Sequence, residues 1–170
     1  MKLKYLPKYS YEDYARWQGD WELIEGIPYA MALSKFLHQK TLSNLLYVLR
    51  RLMEERGCDC FVVAELDWIV DKHTVVRPDL VLLYEEPQDY ITSVPPFVIE
   101  IVSEYSKRTD EEVKYELYEE KGVKYYLLVY PEEKKVKAYK NEGTGFVELE
   151  SLEFELKDCK IKLDLEKVWR

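Results

Sequence analysis

Pro96-Phe97-Val98-Ile99-Glu100-Ile101-Val102 is apolar at both alternating sets of positions except for one carboxylate. A strand that is apolar on both faces is covered on both sides, so Glu100 is expected inside a sheet. An ionised carboxylate there is costly unless it is paired, protonated or given a cation. The upstream run Val75-Val76-Arg77-Pro78-Asp79-Leu80-Val81-Leu82-Leu83 repeats the anomaly at Asp79. Two acids in adjacent core strands, followed by a helix carrying Lys114, suggest a metal-dependent phosphodiester-cutting site.

Outward from these runs, Thr109 with Glu112 predicts a capping box, with Asp110 and Glu111 suited to a positive helix start. That helix is predicted to reach about Lys121 and stop at Gly122. Val123 to Tyr130 predicts a strand, Lys135 to Tyr139 its hairpin partner, and Phe146 to Leu149 and Leu152 to Leu156 shorter strands. Upstream, Phe61 to Val70 and Val75 to Tyr84 read as two strands. Before them, Ser34 is the expected N-cap of the longest helix, which ends near Arg56 with Gly57 as its stop. Its apolar stripe is Leu42, Leu45, Leu46, Leu49, Leu52 and Met53, which turns Arg50, Arg51 and Arg56 to solvent. Trp21 to Gly26 and Ile27 to Leu33 predict a hairpin, and Ser10 with Asp13 caps a short helix through about Trp17.

No repeat, low-complexity segment or flexible linker interrupts the chain, so residues 1–170 are expected to form a single domain. The element order predicts a mixed β-sheet flanked by α-helices, an α/β or α+β fold. At 170 residues and 47% hydrophobic content the chain can bury one substantial core. A net charge of -8 excludes a protein that coats nucleic acid with a broad basic surface, but not an enzyme that meets phosphates in a local cleft. Met1-Lys2-Leu3-Lys4-Tyr5-Leu6-Pro7 lacks the apolar centre of a signal peptide, and no run is long enough to span a bilayer. No membrane partner is therefore expected. Cys58, Cys60 and Cys159 read as reduced thiols of a cytoplasmic protein, and Cys58-x-Cys60 lacks the second ligand pair of a zinc site.

Phosphate loops, dinucleotide fingerprints, nucleophile elbows and the HExxH zinc motif are all absent from the sequence. What remains is Asp79, Glu100 and Lys114. Two carboxylates about 4 Å apart repel by roughly 4 kcal/mol at an effective dielectric near 20. Such hard oxygens suit magnesium or manganese, which convert the repulsion into coordination. Lys114 shares the inward stripe of Leu117 and Tyr118 and so needs an anionic partner, either the carboxylates or a substrate phosphate.

Arg77-Pro78-Asp79, the Glu100 strand through Ser103, Lys114 and Gly122-Val123-Lys124-Tyr125-Tyr126 together resemble the Uma-two family of nucleases. Trp21-Glu22-Leu23-Ile24-Glu25-Gly26, His38-Gln39 and Leu163-Asp164-Leu165 to Trp169 extend the resemblance over nearly the whole chain. It implies a restriction-endonuclease-like fold with a PD-(D/E)xK metal site acting on DNA. Asp79, Glu100 and the main-chain carbonyl of Ile101 would hold the magnesium or manganese ion. The pattern's lysine is replaced by Val102 here, so Lys114 is expected to supply the ammonium from the next helix. The resemblance also makes Glu25 an extra ligand or water-positioning carboxylate and gives His38 a phosphate-facing or proton-shuttling role. Cutting both strands would suit a homodimer. Lys107, Arg108, Lys121 and Lys124 flank the region and could attract the phosphate backbone locally.

Each residue also has a plainer reading. Asp79 could accept backbone hydrogen bonds in a turn, and Glu100 could form a buried ion pair with Lys114 or Arg108. Lys114 could pack by its stem, Glu25 could be a turn acid, and His38 could cap or pack. Glu65 and Asp67 are expected on the wet face of an outer strand. A non-catalytic module that keeps the fold, and an enzyme on another phosphate ester, are the competing functions.

Overall fold

The computed structural model of the protein describes residues 3–170. Met1 and Lys2, part of the segment read as lacking a leader, lie outside the described residues. The Ser10 capping box is present: the Asp13 carboxylate accepts from Ser10 N at 2.8 Å and Asp13 N donates back to Ser10 Oγ at 3.4 Å. It opens a helix shorter than expected, α1 (Tyr11–Tyr14). Strands β1 (Trp21–Ile24) and β2 (Ile27–Ala30) form the predicted hairpin. Glu25 and Gly26 fill its two-residue turn with φ of 51° and 80°, the left-handed pair such a turn requires.

The long helix is α2 (Phe36–Arg56), closed by Gly57 at φ 66°. Its N-cap is Lys35 rather than Ser34, and no side chain caps it. Leu42, Leu45, Leu49 and Met53 are buried as expected and Val48 joins them, whereas Leu46 and Leu52 are only partly covered.

Both strands expected across 61–70 and 75–84 break in two. The first becomes β3 (Phe61–Ala64) and β4 (Trp68–Asp71), parted at Glu65, which has φ 52°. The second becomes β5 (Thr74–Val76) and β6 (Leu80–Leu83). Between them lies Arg77-Pro78-Asp79, where Pro78 has no N–H to give a ladder. Then follow β7 (Phe97–Ile101), the helix α3 (Lys114–Lys121), β8 (Tyr125–Tyr130), β9 (Lys135–Asn141), β10 (Phe146–Leu149), the hairpin β11 (Glu153–Glu155) and β12 (Lys160–Lys162), and α4 (Leu165–Val168).

The breaks send the halves to different sheets. One sheet has the order β2-β1-β5-β4, and the larger has the order β10-β9-β8-β7-β6-β3. The larger sheet is antiparallel except for β7 beside β8, whose crossover runs through α3. Both of its faces are covered, as the apolar runs predict. Leu80, Leu82, Phe97 and Ile99 face α2, α4 and the β11–β12 hairpin, while Val81, Val98, Tyr126 and Leu128 face Tyr118 and Trp68. By strand alternation Glu100 shares the face of Val98, towards α3.

The cysteine expectation is corrected: Cys58 and Cys159 form a disulfide with Cα atoms 5.5 Å apart, leaving Cys60 as the free thiol. The partners are separated by 101 residues, and only the return of the β11–β12 hairpin beside the end of α2 brings them together. Spacing along the chain cannot reveal such a pair. Among the described residues no helix is long and apolar enough to cross a membrane.

Candidate active site

Asp79 leaves the Pro78 break one step beyond the Leu80–Ile99 pair, which sets it beside Glu100 of β7. The two acids interlock through backbone. Asp79 N donates to Glu100 Oε1 at 2.9 Å, and Ile101 N donates to Asp79 Oδ2 at 2.7 Å. Lys114 Nζ lies 2.5 Å from Glu100 Oε2 and 2.7 Å from Glu22 Oε2. That same Glu22 oxygen accepts from Arg77 N at 2.7 Å. Glu22, Glu100, Lys114 and Asp110 are all buried. The cluster opens at one edge, where His38 Nε2 lies 3.3 Å from Asp79 Oδ1 and their side chains are 15% and 17% exposed.

A wide turn delivers the ammonium. Helical winding starts at Lys107, ahead of the predicted Thr109, behind a reciprocal pair of bonds between Ser103 and Ser106. It passes through a π turn at Thr109–Val113, in which Lys114 N bonds Thr109 O, and continues as α3. Such turns insert one extra residue and recur at functional sites. Tyr126 Oη fixes this one by donating to Asp110 O at 2.7 Å.

Charge in the cluster is unevenly shared. Burial acts to lower the Lys114 pKa, but Glu100, Glu22 and Asp110 outweigh it and hold the group well above its ordinary value, so it stays an ammonium. Burial raises Glu100 well above the usual carboxylate range; Lys114 opposes this, and Asp110, Asp79 and Glu22 add to it. Burial likewise pushes Asp110 up to about 6, against the pull of Lys114 and a bond to Ser106. At His38, burial acts downwards, but the hydrogen bond and charge of Asp79 prevail and raise its pKa.

Asp79, Glu100, Lys114 and His38 are thus brought together, and Ile101 joins them through its N–H. Glu25 is not brought there. It sits exposed in the β1–β2 turn with its N–H on Thr74 Oγ1 at 3.1 Å. The acid that this hairpin supplies is Glu22, three residues earlier, which the sequence reading missed. Its signal was the one that exposed Glu100: an acid followed by apolar residues in a strand, here Trp21-Glu22-Leu23-Ile24. Asp110 was read as a helix-start charge, yet it stands four residues before Lys114 and so shares its helix face.

Asp67 is not on a wet face. It accepts from Arg77 Nε at 2.7 Å and from Tyr14 Oη at 2.8 Å. Arg77 also donates to Asp20 at 2.8 Å, and these bonds raise its pKa against the effect of burial. A cleft of about 190 Å³ lined by Tyr14, Trp17, Trp21, Asp67 and Arg77 contains none of the clustered acids, and its central polar groups bond one another. It is an anchor for the N-terminal segment.

Among the described residues no group of three His, Cys, Asp or Glu side chains is arranged to hold a metal ion. The donor chemistry nevertheless fits a hard divalent cation. Glu22 and Glu100 hold a single ammonium, Asp110 acts on it through its charge, Asp79 interlocks with Glu100, and each carboxylate oxygen can accept more than one partner.

A mixed sheet with one parallel pair, whose crossover helix returns a lysine to two strand acids, defines a restriction-endonuclease-like fold. The solved structure of "a putative nuclease belonging to DUF820" from Anabaena variabilis shares it with a TM-score of 0.76 at 15% identity, covering 94% of this chain and 97% of that one. The profile of the Uma2 family, described as "Putative restriction endonuclease", matches residues 11–167. The chain belongs to that family. No curated protein matches it.

Proposed function

We propose that the protein is a divalent-cation-dependent endonuclease that hydrolyses phosphodiester bonds in DNA. The observation that carries this reading is the interlocked Asp79–Glu100 pair with the Lys114 ammonium on Glu100. Family membership and the nuclease description of the solved relative support it. Asp79, Glu100 and the Ile101 carbonyl would hold magnesium or manganese, which acidifies bound water and neutralises the scissile phosphate. Lys114, kept charged by its carboxylate neighbours, orients the attacking water and stabilises charge on the pentacovalent phosphorus. Glu22 gives Lys114 a second carboxylate beside its Glu100 bond and ties it to the Arg77 backbone. His38, at the open edge, would either face the phosphate or shuttle a proton from the attacking water to the leaving oxygen.

The test is plasmid nicking with manganese by wild type and Glu100→Gln, which keeps shape and removes charge. Cleavage should fall at least about 100-fold, on the scale of losing one transition-state contact. Cleavage at the wild-type rate removes Glu100 from the mechanism. A second reading, a non-catalytic module that retains the fold, is favoured by the burial of Glu100 and the prior commitment of both its oxygens. Manganese separates the two. At about a hundred times its dissociation constant it should add roughly 2.7 kcal/mol of stability to a metal enzyme and nothing to the module.

A further inference from the structure

Two segments lead into the cluster, one ending at His38 and one joining the Glu100 strand to the helix of Lys114, and both present large apolar side chains to water. Leu33 is 94% and Phe36 81% exposed, in the stretch that ends at His38. Across from them, Tyr105 is 68% exposed in the turn between the Glu100 strand and the helix of Lys114. Tyr105 Oη reaches Ala30 O at 3.5 Å, which links the two segments. Scattered apolar residues are ordinary on a surface, but these three sit on two segments that lead into the candidate site and that the Tyr105–Ala30 bond ties together.

Cations stand among them. Residues 31–40 carry Lys35 and Lys40 and no acid, in a chain of net charge -8. Lys107 and Arg108 follow Tyr105; Lys107 is exposed and Arg108 lies 3.4 Å from Glu112. An isologous contact centred on this edge would set its lysines, Lys35, Lys40 and Lys107, against the same cationic patch of a second copy, like charge against like. Phosphates meet no such penalty. Aromatic and apolar faces interleaved with lysines are the pattern that holds unpaired nucleic acid, because every base offers a face to stack on. In an intact duplex those faces are hidden.

We infer that Leu33, Phe36 and Tyr105 form an edge on which the unpaired bases of a DNA strand stack as its backbone enters the site, with Lys35, Lys40 and Lys107 on the phosphates. The inference rests on the nuclease reading and narrows it to substrates with single-stranded or frayed segments. Leu33 also suits insertion as a wedge between base steps.

The test uses the full chain carrying Glu100→Gln, so that DNA is bound without being cut. Fluorescence anisotropy with an oligothymidylate of about twenty nucleotides, and with a duplex of equal length, is measured for Phe36→Ala and Tyr105→Ala. Tyr47→Ala, an exposed aromatic three turns along α2, is the control. Each edge variant should weaken the oligothymidylate about 5- to 100-fold at constant salt, with the duplex less affected and the melting temperature unchanged. The Tyr47 variant should bind as the parent does. Unchanged oligothymidylate affinity overturns the inference. So does a dimer in sedimentation that Phe36→Ala dissociates, since the edge would then belong to a second copy. If the edge variants lose single-strand binding but the wild-type chain, with Glu100 intact, cuts nothing with manganese, the nuclease reading fails and the edge stands. If cutting is normal and indifferent to Phe36→Ala, the edge alone fails.

Discussion

Lys114→Met is the most informative single change in the cluster. It keeps the length and apolar stem of a buried side chain and removes the ammonium that lies 2.5 Å from Glu100 and 2.7 Å from Glu22. Removing one partner of a buried pair leaves an uncompensated charge and destabilises by about 3 to 5 kcal/mol. Here two carboxylates lose their cation, so the upper part of that range applies at pH 8. For a domain of this size each kcal/mol moves the melting temperature by about 2 to 4 °C, so a loss of about 4 to 5 kcal/mol gives a fall of roughly 8 to 20 °C. The loss should shrink in acid, because Glu100 already has a raised pKa and takes up a proton once its partner is gone. Urea unfolding at pH 8 and at pH 4.5, with and without a second Glu100→Gln change, provides the assay. The double variant should recover part of the loss, with a coupling of about 0.5 to 3 kcal/mol. A Lys114→Met protein within about 0.5 kcal/mol of wild type at pH 8 would refute the account of a tightly coupled buried pair.

Three further outcomes are expected. Glu25→Asn relieves a left-handed residue at φ 51° and should stabilise the hairpin by up to about 1 kcal/mol with cleavage unchanged; a tenfold loss of cleavage would return Glu25 to the site. Reducing the Cys58–Cys159 bridge, or replacing Cys58 with Ser, frees a loop of 101 residues and should lower unfolding stability by up to about 4 to 5 kcal/mol in chemical denaturation. Asp110, raised to about 6 from 3.8, contributes stability only while protonated, so its contribution is full below about pH 4 and is lost as pH rises through 6. Asp110→Asn should therefore be more stable than wild type at pH 8, by on the order of 1 to 3 kcal/mol, and almost equal to it at pH 4 in paired melts.

The fold was legible wherever one local pattern decided an element. The apolar runs around Val98 and Leu127, the leucine stripe of α2 and the stops at Gly57 and Gly122 all appear as read. The misreadings of the two broken strands share a cause: a run of fixed hydrophobicity does not state which sheet each half joins. Pro78 was the visible warning, since a residue without an N–H in an apolar run marks a break, and the break is what frees Asp79 to face Glu100. The site was legible through the cost of burying charge, which flagged Glu100, Asp79 and Lys114. Glu22 escaped because its strand is short and its partner lies 92 positions away. Asp110 escaped because a helix-start acid has an ordinary explanation, and only the π turn shows that it faces inwards.

Protons and a cation are alternative answers to one charge problem in this cluster. If Glu22, Asp79, Glu100 and Asp110 were all ionised they would bring four negative charges, against one positive charge on Lys114 and a second on His38 when it is protonated. Two negative charges would remain, buried and within mutual range. Protons are one answer: Asp110, pushed up to about 6, takes one up below that pH, and burial raises the affinity of Glu100 for another. Above it, the excess must be tolerated or met by a bound cation, and a single divalent ion carries the two charges needed. The Lys114 ammonium already lies 2.5 Å from Glu100 Oε2, so such an ion would share that oxygen with the lysine. Glu22 draws it towards the smaller sheet, which leaves the Asp79 edge beside His38 as the side open to an ion and a phosphate. Moving the lysine from the Val102 position to α3 therefore preserves the ammonium and adds a second carboxylate to hold it, so the departure from the usual spacing is compatible with the same chemistry.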